Sequence, residues 1–138
     1  MKLIVGSVAL MLVVSPAWAG KPPSSGQLQA PKAIEKELRR LTGSSATNCG
    51  VVAGMADLSS GRSCVQKSYA QSTAFTFVVG PEVGASGMWF AWAGTRRGRV
   101  YQLLAFNEST GNQRIMITEC LAFEITEESG IHCSIGPS

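Results

Sequence analysis

Four cysteines, Cys49, Cys64, Cys120 and Cys133, constrain this 138-residue chain more than any other feature. An even number of cysteines in an exported chain reads as disulfides. Four cysteines allow three pairings. Sequence order favours Cys49–Cys64 and Cys120–Cys133, each closed within one local segment. A loop of about 15 residues is worth roughly 3 kcal/mol in the chain-entropy model. No two cysteines stand at C-x-x-C spacing and His132 is the only histidine, which argues against a zinc centre and against a catalytic redox pair.

The N-terminus supplies the compartment in which disulfides form. Lys2 is a positive first region, Leu3 to Val14 an apolar run, and Ala17-Trp18-Ala19 places small residues where a signal peptidase reads. The expected cut lies between Ala19 and Gly20, and the expected location is the periplasm or the medium. The apolar run is about a dozen residues, short of the about 20 that a membrane span needs. No membrane span is therefore expected.

Residues 20–31 (GKPPSSGQLQAP) are rich in Pro, Ser and Gly and are expected to form a flexible leader. Residues 32–138 have the length of a single domain. Lys2 leaves with the signal peptide, so 11 basic side chains remain against 9 acidic ones, a net charge of +2. That balance makes no case for nucleic acid. The partner expected is another protein or an envelope component.

The periodicity of the chain changes once. Ile34, Leu38 and Leu41 recur at helical spacing, with Glu35 four residues before Arg39 in the favourable ion-pair order. Thr42-Gly43 ends this helix. Residues 44–60 read as an irregular segment tied down by a disulfide. Ser60 is placed to cap a second helix over residues 61–72, with Val65 and Tyr69 on one face. From Thr73 the period is two. Phe75, Phe77 and Val79 mark one strand, residues 88–93 (MWFAWA) a second, and residues 100–106 (VYQLLAF) a third. Residues 115–125 hold one or two more, and a last short strand passes through His132 and Cys133. The fold class expected is α+β: two short helices over one face of an antiparallel sheet of four to six strands. This order resembles the two-helix, four-strand modules of some small secreted inhibitors and envelope assembly proteins, in element order alone.

Two features carry functional content. The strands over 88–106 are apolar on both faces, whereas an antiparallel sheet with one wet face alternates. The sheet is then either covered on both faces, by curling or by the leader and C-terminal strands, or its second face is a docking surface with Trp89 and Tyr101 as anchors. The other feature is the basic cluster Arg96, Arg97 and Arg99 on a hairpin tip. It reads as a solvated turn or as a contact for an anionic group.

No nucleotide-binding, hydrolase or metalloprotease motif occurs, and no cofactor is implied. One enzyme hypothesis remains. Small secreted ribonucleases pack a helix on an antiparallel sheet and use a Glu base, a His acid and arginines for the phosphate. Glu119 or Glu124, with His132 and the arginine tip, could take those parts. The leading expectation is a non-enzymatic binding module, an inhibitor or envelope accessory protein. A phosphodiester hydrolase and a purely structural envelope component are the alternatives.

Overall fold

A computed structural model describes residues 28–54, 58–82, 87–128 and 130–136. The segment expected to be a signal peptide, its expected cleavage site and most of the expected leader lie outside the described residues. So does Asp57, the sole aspartate.

Helix α1 (Lys32–Thr42) starts directly after Pro31 and buries Ile34 and Leu38. Glu35 in the first turn and Arg39 and Arg40 in the last complement its dipole. The ion pair on its surface joins Arg40 to Glu37 at 2.7 Å rather than Arg39 to Glu35. The helix closes where the sequence indicates: the N–H of Gly43 donates to the Arg39 carbonyl, and the Thr42 hydroxyl to that of Leu38.

The segment expected to be irregular contains a strand, β1 (Thr47–Ala53), interrupted by a register shift between Asn48 and Val51. Its N-terminal half carries polar and small residues, and the Asn48 side chain accepts from the N–H of Gly50 at 2.9 Å across the irregularity. Local composition hides such a strand; the parallel pairing with β2 makes it. Helix α2 (Leu58–Ala70) forms the crossover between the two. It begins before Ser60, so that residue lies within the first turn and not at the cap.

The remaining elements follow as a meander: β2 (Phe75–Gly80), β3 (Trp89–Gly94), β4 (Val100–Asn107), β5 (Gln113–Glu119), then β6 (Ala122–Thr126) and β7 (Gly130–Ser134). The first five strands form one sheet in the order β1-β2-β3-β4-β5, and β6 and β7 form a separate hairpin. Only the β1–β2 pairing is parallel, so the sheet is mixed and not purely antiparallel.

The helices do not share a face. Ile34 and Leu38 of α1 pack with Val78, Ala91, Ala93, Leu103 and Ala105. Val65 of α2 packs with the alternate residues Phe75, Phe77, Val79, Trp92 and Val100, joined by Ile131 of β7. Because side chains alternate along a strand, these are opposite faces. Three alanines at 91, 93 and 105, all fully buried, let α1 settle close to the sheet. On the other face, β6–β7 lies beside α2, with Phe123 edge-on to Tyr69 at 5.0 Å and tilted over Phe75 at 6.2 Å. Both faces of β3 and β4 are apolar because both are covered. Each fully buried Phe, Ile or Val contributes about 1.5–3 kcal/mol.

The disulfides pair as sequence order suggests, Cys49 with Cys64 and Cys120 with Cys133. The first fastens β1 to α2. The second closes β7 back onto the residue between β5 and β6. No helix among the described residues is long and apolar enough to cross a membrane.

Candidate docking surface

The turn between β3 and β4 is fixed by its backbone. The Thr95 N–H donates to the Arg99 carbonyl at 2.8 Å, and the Gly98 N–H to the Thr95 carbonyl at 3.1 Å. The Arg99 N–H adds a bond to the Thr95 hydroxyl at 3.2 Å. Gly98 takes φ 78°, the left-handed conformation that closes such a turn. Arg96 and Arg97 occupy the two outermost positions, and Arg99 follows at the entry to β4.

Two of these arginines are held from outside the hairpin. Arg96 Nη2 donates to the Ser45 hydroxyl, on the connection between α1 and β1, at 3.1 Å. Arg99 Nε stands 3.7 Å from a Glu119 carboxylate oxygen on β5. A side-chain hydrogen bond to Tyr101, then the charge of Glu119, push the Arg99 pKa up, so this guanidinium stays charged throughout the accessible pH range. Arg97 has no hydrogen bond or ion pair among the described residues. All three arginines are exposed, and Glu119 is the one carboxylate that pairs with any of them among the described residues.

Tyr101 links the tip to the core. It is half-buried at the margin of the α1 layer and lies opposite Ala93 on β3. Trp89 belongs to the same face but to its other end, opposite Ala105, with its ring against Gly80 and the same layer. Four residues of strand separate Trp89 from Ala93, about 13 Å. Tyr101 therefore joins the arginines, and Trp89 does not.

A groove of about 260 Å³ between α1 and edge strand β1 adjoins the tip. Glu35, Arg39, Thr42, Asn48 and Thr76 line it, and it reaches Ser44, next to the residue that holds Arg96. Neither the groove nor the role of Ser45 was legible in the sequence, because both arise from the unrecognised β1.

The residues of the enzyme hypothesis divide between two places. Glu124 and His132 are directly opposed across β6–β7, both exposed on the side of the hairpin away from Phe123 and Ile125. Glu119 projects from the α1 face of the main sheet, beside Arg99 and Tyr101. The hairpin covers the other face. The fold thus pairs His132 with Glu124, and pairs the arginines with Glu119.

No protein-family model matches the chain, and no curated protein or solved structure matches it.

Proposed function

We propose that this chain is an exported, non-enzymatic binding module that docks an acidic partner, an envelope or extracellular protein, through the arginine tip. The observation that carries the reading is the bracing of the tip. A turn with its backbone fixed by three hydrogen bonds presents three guanidinium groups, Arg96 in contact with Ser45 and Arg99 with Glu119. A solvated turn needs no such bracing. Preorganised arginines lose little conformational entropy when they meet carboxylates, and they meet them with two parallel hydrogen bonds. The groove beside Ser44 extends the surface along α1, with Arg39 and Glu35 both on its lining.

Two disulfides fit an oxidising compartment and support export. The separation of His132 from the arginines favours binding over phosphodiester hydrolysis, since proton transfer and charge stabilisation act on one reacting group.

The test is a titration of isotope-labelled protein with a short polyglutamate peptide, followed by amide chemical shifts. The reading expects shifts concentrated at residues 95–101, at Ser45 and at Glu119. An unresponsive tip, or shifts confined to the hairpin carrying His132, would overturn it.

A further inference from the structure

Strand β5 is an outer strand of the five-stranded sheet, and no strand pairs with its far edge among the described residues. The ladder with β4 fixes which backbone groups that edge presents. Hydrogen bonds bracket it at both ends, from the Glu108 N–H to the Asn112 carbonyl and from the Cys120 N–H to the Val100 carbonyl, each 2.8 Å. By the alternation of an antiparallel pair, residues 114, 116 and 118 direct their backbone groups toward β4. The N–H and C=O groups of Gln113, Ile115, Ile117 and Glu119 point outward.

Free edges are ordinarily blunted by proline, bulges, short length or inward charges. β5 runs seven residues without proline, and its register with β4 is unbroken from end to end. Its centre is Ile115-Met116-Ile117, and its charges stand near the ends, at Arg114 and Glu119. Met116, a large hydrophobic residue, is 49% exposed.

The residue order of this strand is self-complementary. Laid antiparallel against a second copy with Met116 on the two-fold axis, Gln113 faces the partner's Glu119, Arg114 faces the partner's Thr118, and Ile115 faces the partner's Ile117. No like charges meet. Ile115 and Ile117 then form the doubly hydrogen-bonded pairs, which matches the direction of their backbone groups. Slipping the pairing by two residues sets Ile115 against the partner's Glu119 in one direction, and Gln113 against the partner's Ile117 in the other. We propose that the protein is a two-fold dimer joined through β5, its two five-stranded sheets merged into one of ten strands. The interface is isologous and closes on itself, so one contact caps both edges.

The experiment measures the mass of the oxidised chain from Gly20 onward by sedimentation equilibrium, for wild type, Met116→Lys and Met116→Cys, with Thr118→Cys as register control. Wild type is expected at twice the chain mass. Met116→Lys sets two like charges opposite each other on the axis and is expected at the mass of one chain. Met116→Cys brings two thiols together at a non-hydrogen-bonded pair, where Cβ atoms stand about 4.5–5.5 Å apart, and is expected to form a cross-linked dimer under mild oxidation. Thr118→Cys faces arginine and is expected not to cross-link. Wild type at the mass of one chain at about 100 µM, near the concentration where even a weak dimer forms, overturns the proposal. So does a wild-type dimer that persists in Met116→Lys while Met116→Cys fails to cross-link, because the interface then lies elsewhere.

Discussion

Gly61 of α2 lies directly on the ring of Phe77 in β2, so close that a Cβ on Gly61 would overlap the ring. Phe77 is fully buried and stacks on Trp92 at 6.0 Å, so the ring has nowhere to retreat. Alanine in place of a helical glycine ordinarily stabilises, by up to about 1 kcal/mol. At Gly61 the steric overlap decides the sign. Gly61→Ala should destabilise by about 1–3 kcal/mol, the usual cost of overpacking a core. Urea denaturation checks this through a lower midpoint at unchanged slope. A midpoint at or above wild type would mean that α2 does not rest on Phe77.

The partner of that ring carries an unmet donor. Trp92 Nε1 is buried with no hydrogen-bond partner among the described residues, at a residue only 3% exposed. An unsatisfied buried donor costs roughly 1–3 kcal/mol. Trp92→Phe removes that donor and keeps a ring beside Phe77, while losing some packing volume. The two effects oppose, and the variant should fall within about 1 kcal/mol of wild type by the same denaturation. A loss above about 2 kcal/mol would mean that lost packing outweighs the relief of the donor.

The disulfides close loops of similar length, with sequence separations of 15 and 13. Replacing either pair by serine should therefore cost a similar amount, roughly 3 kcal/mol. The location of the loss should differ. Beyond the Cys120–Cys133 bond, β6–β7 is held by a few side chains, Phe123 and Ile131 foremost, so its amides should lose hydrogen-exchange protection first in Cys120→Ser/Cys133→Ser. Equal loss across the whole sheet would mean that the hairpin and sheet unfold as one unit.

The sequence made some of these relationships legible and hid others for a physical reason. Ile34 and Leu38, and the alternation at Phe75 and Phe77, announce themselves because their neighbours are polar or their period is plain. Both cysteine pairings follow from order along the chain. β1 is hidden because its strand character comes from a parallel partner that is distant in sequence, and its own residues include Asn48, Gly50 and a register irregularity. α2 is hidden at its start because its first buried position is Gly61, and Val65 is the one large apolar side chain among its buried residues Gly61, Val65 and Ser68. The hidden β1 conceals that the two helices take opposite faces of the sheet. It also concealed the groove and the Ser45 contact, so the arginines of the tip were legible and their bracing was not.

The arginines of the tip make a prediction in pH that needs no more than their ordinary pKa. Tyr101 and Glu119 raise the Arg99 pKa above the ordinary arginine value. A group whose folded pKa is raised contributes stability below its unfolded pKa and loses it only as pH climbs through the folded one. For Arg99 that window lies above the ordinary arginine range. The charge of the tip should thus be constant between about pH 5 and about pH 9. Affinity for a polyglutamate peptide should stay level across that interval, where glutamate is ionised. A fall in affinity within that interval would contradict the assignment of the contact to the arginines.

The most direct test of the docking surface is affinity capture from an envelope extract with the oxidised protein as bait, run beside Arg97→Ala, Trp89→Ala and His132→Ala. Arg97 is exposed and unpaired among the described residues, so its removal should leave stability within about 0.5 kcal/mol of wild type. The account predicts a partner retained by wild type and His132→Ala, lost with Arg97→Ala, and retained by Trp89→Ala to the extent that this variant stays folded. A partner held equally by Arg97→Ala and wild type, or lost only with His132→Ala, would contradict the assignment of function to the arginine tip.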